Sequence, residues 1–228
     1  MMIEAMNPRW FLSFLLLAEA ALAAGNHPLP IPQNVVPEII AEDLRFNGSP
    51  MRIVQFQTLD AEGVARFYRR FFKEKAQEGR FTESELEGIR VIGAMMGKEL
   101  INVELKPKGK IIRVLVSSLQ PERLELPEKL AKDMPKMQGT QVFQHQESRD
   151  GPKKNRMVFM TNQYSVESNT IYLREHYLRL GWTRISDHTV KTTVQRQLIF
   201  GKDNRRLHVD LQRTNPKITT IILNEMWE

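Results

Sequence analysis

From about residue 50 onward the chain alternates between two hydrophobic periods. Ile101, Val103 and Leu105 take every second position, with Asn102, Glu104 and Lys106 between them, the pattern of a strand with one buried face. Leu207, Val209 and Leu211 do the same against His208, Asp210 and Gln212. Each of these is followed by a turn, "KPKGK" or "TNPK", and then by a β-branched run, "IIRVLV" from Ile111 or "ITTIIL" from Ile218, so each pair predicts a hairpin. Ahead of them the period changes to that of a helix. Val64, Phe67, Tyr68 and Phe71 share one face after Asp60, a good N-cap. Leu173, Tyr177 and Leu180 form a second stripe after Ser165, with Glu167 in the first turn, Gly181 at the left-handed stop and Trp182 placed to fold back. The first helix is expected to end near Gly79. Further strands are expected before the helices, over 52–58 and 156–162, and after them, over 89–96 and 194–200.

These segments recur at an offset of about 105 residues. The expected fold class is therefore α+β: two tandem copies of a β-α-β-β-β unit, each a mainly antiparallel sheet covered on one face by its amphipathic helix. The copies are assigned to 43–120 and 141–228. A connector with three prolines spans 121–140, and a Pro-rich extended leader spans 24–42. Proline precedes a short segment ending in Phe46 or Phe143, which adds an edge strand to each copy.

The first residues change the picture. "NPRWFLSFLLLAEAALAAG" places one basic residue ahead of an apolar run and ends in small residues, the layout of a cleavable export signal over 1–23. Glu19 interrupts the run, which leaves an uncleaved membrane anchor or a buried N-terminal helix as the alternative. The expected location is periplasmic. The chain has no cysteine, which removes disulfides, disulfide-linked partners, thiol catalysis, Cys-ligated zinc and lipid acylation at Cys.

"GAMMGKELINVEL" resembles a phosphate loop only superficially. Gly93 and Gly97 are one residue too close, Glu99 stands where Ser or Thr would ligate magnesium, and a strand follows where a helix is required. This Gly-Lys pair and Gly201-Lys202 both read as strand-to-strand turns. The five histidines, His27, His145, His176, His188 and His208, contain no i, i+4 pair, and no G-x-S-x-G elbow occurs. Glu83, Glu85 and Glu87 read as a solvated loop. No catalytic, cofactor-binding or metal-binding residue is assigned.

The function expected is that of an exported, non-enzymatic protein-binding or assembly module, an accessory of an envelope, secretion or pilus apparatus, with another envelope protein as partner. Its binding edges are expected in the final hairpins, at Ile111, Arg113 and Leu115 and at Ile218, Thr220 and Ile222. A net charge of +6 supports an alternative. Lys106, Lys108, Lys110, Lys153, Lys154, Arg205 and Arg206 would bind a polyanion, either nucleic acid or an anionic membrane surface. An enzyme whose polar groups converge only in the fold is the third reading.

Overall fold

The computed structural model describes residues 29–191 and 194–228, so the expected signal segment lies outside the described residues. Two strands, β1 (Glu38–Phe46) and β2 (Ser49–Thr58), precede helix α1 (Ala61–Lys75). Four strands follow: β3 (Thr82–Leu86), β4 (Ile89–Met96), β5 (Glu99–Lys108) and β6 (Ile111–Leu119). After a connector with the single-turn helix α2 (Pro127–Leu130), the same succession occurs again. It comprises β7 (Gln141–Asp150), β8 (Lys153–Asn162), helix α3 (Val166–Arg179), β9 (Thr183–Lys191), β10 (Gln195–Lys202), β11 (Arg205–Asn215) and β12 (Ile218–Trp227).

The expected α+β class, two tandem helix-covered units, is corrected by the sheet. All twelve strands of the described residues join one antiparallel sheet, in the order β3-β4-β5-β6-β2-β1-β7-β8-β12-β11-β10-β9. Strand is the dominant element, and the two long helices are additions to it. The halves meet where β1 pairs with β7 through Leu44↔Ser148, Arg45↔Glu147 and Phe46↔Gln146. The Asn47 amide donates to the His145 carbonyl, and the His145 amide donates to the Asn47 side-chain oxygen, both at 2.8 Å, so the β1–β2 turn is bound to the neighbouring half.

The expected β-α-β-β-β unit, four strands and a helix, is shorter than the six strands and long helix of each half for two physical reasons. β1 carries two register shifts against β2, which break its alternation, so its first residues look like part of the leader. β3 is a five-residue edge strand whose sequence, TESEL, has no buried face to impose a period. Of the glutamates expected in a loop, Glu83 and Glu85 thus lie on a strand, Glu87 falls in the turn after it, and Glu83 is held by Arg69.

The helices form where capping and pattern agree. The Asp60 side chain accepts from the Gly63 amide at 2.8 Å, and the Ser165 hydroxyl accepts from the Ser168 amide at 2.9 Å. α1 stops at Lys75, earlier than Gly79, because Ala76 turns to an extended conformation; Glu78 and Gly79 follow with positive φ. α3 stops at a left-handed Gly181. The Trp182 amide then donates to the Tyr177 carbonyl at 3.0 Å, and its ring meets Tyr177 edge-on.

Both helices lie on the same face of the sheet. Val54 and Phe56 of β2 meet Val64, Tyr68 and Phe72 of α1, while Val158 and Met160 of β8 meet Leu173 and Tyr177 of α3. Tracing paired positions through β1 and β7 keeps these residues on one side. The leader and the connector pack on that side too. The Tyr68 hydroxyl donates to the Pro30 carbonyl at 2.8 Å, and the Tyr172 hydroxyl donates to the Lys136 carbonyl at 3.0 Å. Arg156 fastens the connector further: it donates to both Asp133 oxygens at 2.6 Å, to the Leu130 carbonyl at 2.8 Å and to His145 Nε2 at 3.0 Å.

The Gly-Lys expectation holds for one hairpin only. Gly97 and Lys98 form the two-residue turn between Met96 and Glu99. Gly201 and Lys202 remain inside β10, and the turn falls on Asp203 and Asn204. A Cβ at Gly201 would stand 3.0 Å from the Ile185 Cδ1, so glycine serves a close side-chain approach there.

Candidate interaction face

The face opposite the helices is built from the alternate positions of the same strands. Its rows are read from the pairing register, because directly opposed residues in antiparallel strands point to one side. One row starts at Met95 and runs through Leu100, Leu119 and Met51 to Leu44. It crosses the joint to Ser148 and continues through Asn155 and Met226 to Arg206. The first half of that row is wholly apolar. Beside it, Met157 and Phe159 of β8 stand opposite Asn224 and Ile222 of β12. Phe159 also meets the ring of Phe143 at 6.0 Å.

Most of these side chains are half-buried by their neighbours in the sheet, and Met95 is exposed. The core clusters, with the helices, leader and connector, occupy the other side. An apolar strip on the first half, followed beyond the polar Ser148 and Asn155 by apolar residues of the second, is the kind of surface that marks a protein interaction site. Charge around it is mixed. Lys106 faces Arg113 across β5 and β6, and Gln197 donates to Asp210 at 2.5 Å. Glu104 lies among Val91, Leu115 and Asn102, and burial raises its carboxyl above the ordinary value.

All six expected partner-binding residues lie on this face, although not on a sheet edge. Ile111, Arg113 and Leu115 belong to β6, which is paired with β5 on one side and β2 on the other. Ile218, Thr220 and Ile222 belong to β12, paired with β11 and β8. The expectation that these strands offer free backbone is corrected, because both are interior and the sheet ends at β3 and β9. What remains available is the side chains of Ile111, Arg113, Ile218, Thr220 and Ile222, whereas Leu115 is buried. Leu44, Met51, Met157, Phe159 and Met226 were missed by sequence reasoning. Their signal is apolar residues at consecutive positions, as in "MRIV" and "RMVFM", where both faces of a strand carry hydrophobic side chains.

The structure divides the seven expected cations into two groups. Lys106, Lys108 and Lys110 stand at the tip of the β5–β6 hairpin and are exposed. Lys153, Lys154, Arg205 and Arg206 lie together around the end of β12, with Trp227 in register with both Lys154 and Arg205. The second group is partly committed. Arg205 forms an ion pair with Glu225 and lies 5.6 Å and 5.9 Å from the ring centroids of Trp182 and Trp227. Lys153 approaches Glu228 at 3.9 Å.

Among the described residues, no group of three or more His, Asp and Glu side chains is placed to hold a metal ion, and no helix is long and apolar enough to cross a membrane. Comparison with known protein families, characterised proteins and solved structures gives no match.

Proposed function

We propose that this chain is an exported, non-enzymatic protein-binding module, an accessory of an envelope, secretion or pilus apparatus, and that it engages another envelope protein with the sheet face opposite its helices. The observation that carries the reading is the apolar strip from Met95 to Leu44, continued by Met157, Phe159, Ile222 and Met226, with the helices all packed on the other side. The export-signal layout of residues 1–23 supports the location. The polyanion reading has weaker support, since Arg205 is paired with Glu225 and the remaining cations fall into two groups.

A photo-crosslinking side chain introduced at Met51, Leu119 or Ile222 tests the proposal in native envelopes. Adducts with a second polypeptide are expected from these positions and not from Arg66 or Arg70, exposed on α1. Equal labelling from the helix positions, or no adduct from the sheet face, would contradict it.

A further inference from the structure

The two ends of the sheet are built differently. β3 is five residues long, carries Glu83 and Glu85, and has no exposed large hydrophobic residue. Short length and charge are the usual protection of a sheet edge. β9 occupies the corresponding place after α3 and is nine residues long. Among the described residues it pairs with β10 alone, leaving its outer backbone groups without a strand partner. Ile185 and Val190 are 56% and 49% exposed on it. Leu178 and Leu180, at the end of α3, are exposed immediately before it.

We propose that β9 is a self-association edge, pairing antiparallel with β9 of a second copy to make one sheet across a two-fold dimer. Unpaired strand backbone selects an extended segment, and the exposed apolar side chains on and around β9 select an apolar one. The one acid of the strand does not oppose self-pairing. Asp187, the acid of the strand, is already held within the chain by Arg196 at 2.7 Å, with Arg184 at 3.5 Å and Arg174 at 3.7 Å. The molecule itself supplies the precedent: β1 and β7, which occupy matching places in the two halves, already pair edge to edge and antiparallel. Because the far end, β3, is short and acidic, association through β9 closes at two copies instead of continuing into a fibre.

Light scattering with size separation on the full chain, over a concentration series, tests this. The expected mass is twice the 26.5 kDa chain. Ile185→Lys and Val190→Lys should each give a monomer over the same range, while Ser84→Lys on β3 should leave the dimer intact. Thermal melts show whether each variant remains folded. A wild-type chain that is monomeric throughout, a dimer that survives both β9 substitutions, dissociation by the β3 substitution, or open-ended assemblies would each overturn the proposal. A monomer that instead captures a strand from a different protein would overturn it as well.

Discussion

Glu62 and Glu167 hold the same position in the two halves: each stands two residues past its helix cap and receives an arginine from the strand beside the sheet edge. Arg90 donates to Glu62 at 2.7 Å, and Arg196 donates to Glu167 at 2.6 Å. An acid on each edge strand completes the arrangement. Glu83 accepts two bonds from Arg69 at 2.7 Å, and Asp187 accepts from Arg196 at 2.7 and 3.1 Å. An acid in the first turn also suits the positive end of the helix. Each helix N-terminus is thereby tied to the outermost strands of the sheet.

Arg196→Met should destabilise the protein modestly. The pairs are partly exposed, so their combined worth is about 1 kcal/mol, a fall of about 2–4 °C in Tm. Arg196's hydrogen bonds hold the Asp187 carboxyl below its ordinary 3.8. A carboxylate with a lowered folded value contributes stability at neutral pH and loses it as the pH falls through that value. Thermal melts across a pH series should therefore show the gap between wild type and variant closing below pH 3.8.

His145, on the β7 side of the sheet joint, gives the protein a further pH dependence. It is buried, its Nε2 accepts from Arg156, and the groups facing it are Arg156, Glu147 and Asp133. Burial, followed by the Arg156 charge, lowers its pKa from 6.5. The unfolded chain then takes up a proton that the folded chain refuses, so stability falls as the pH drops below 6.5 towards the folded value. His145→Gln retains an acceptor for Arg156 and should flatten the decline in Tm over that interval. His176 and His208 are also shifted downward, so the slope should shrink without disappearing.

Adjacent residues of β12 should respond differently to truncation. Leu223 is fully buried on the helix side, and Leu223→Ala should cost about 2–5 kcal/mol. Ile222 points to the opposite face and is only half-buried, so Ile222→Ser should cost about 1 kcal/mol or less while weakening partner capture. Chemical denaturation measures both changes, and comparable losses would mean that the second face is also covered.

The helices were legible because a cap, an apolar stripe and a stop coincide in sequence, from Asp60 to Phe72 and from Ser165 to Gly181, although Leu180, expected on the second stripe, is exposed. The hairpins were legible because Val103 and Val209 sit in runs of strict alternation. β3 was not, since an edge strand with both faces exposed needs no alternation. The joint was not, since it rests on three opposed pairs about 100 residues apart in the chain, and no local period records such a contact. The interaction face was half legible. Ile111 and Ile222 are expected as edge residues, but their side chains, and not their backbone, are what the fold leaves available, while Leu115 is buried.

The continuous sheet is tested most directly by a crosslink across its centre. The natural chain has no cysteine, so Leu44→Cys with Ser148→Cys introduces the sole pair of thiols. Opposed positions in antiparallel strands have Cα atoms about 4.5–5.5 Å apart, within the range a disulfide spans. Mild oxidation of the folded protein should close an intramolecular disulfide nearly completely, seen as a loss of two hydrogens by mass and a mobility shift without reductant. A pair that stays reduced, or that links only separate molecules, would show that the halves do not share one sheet.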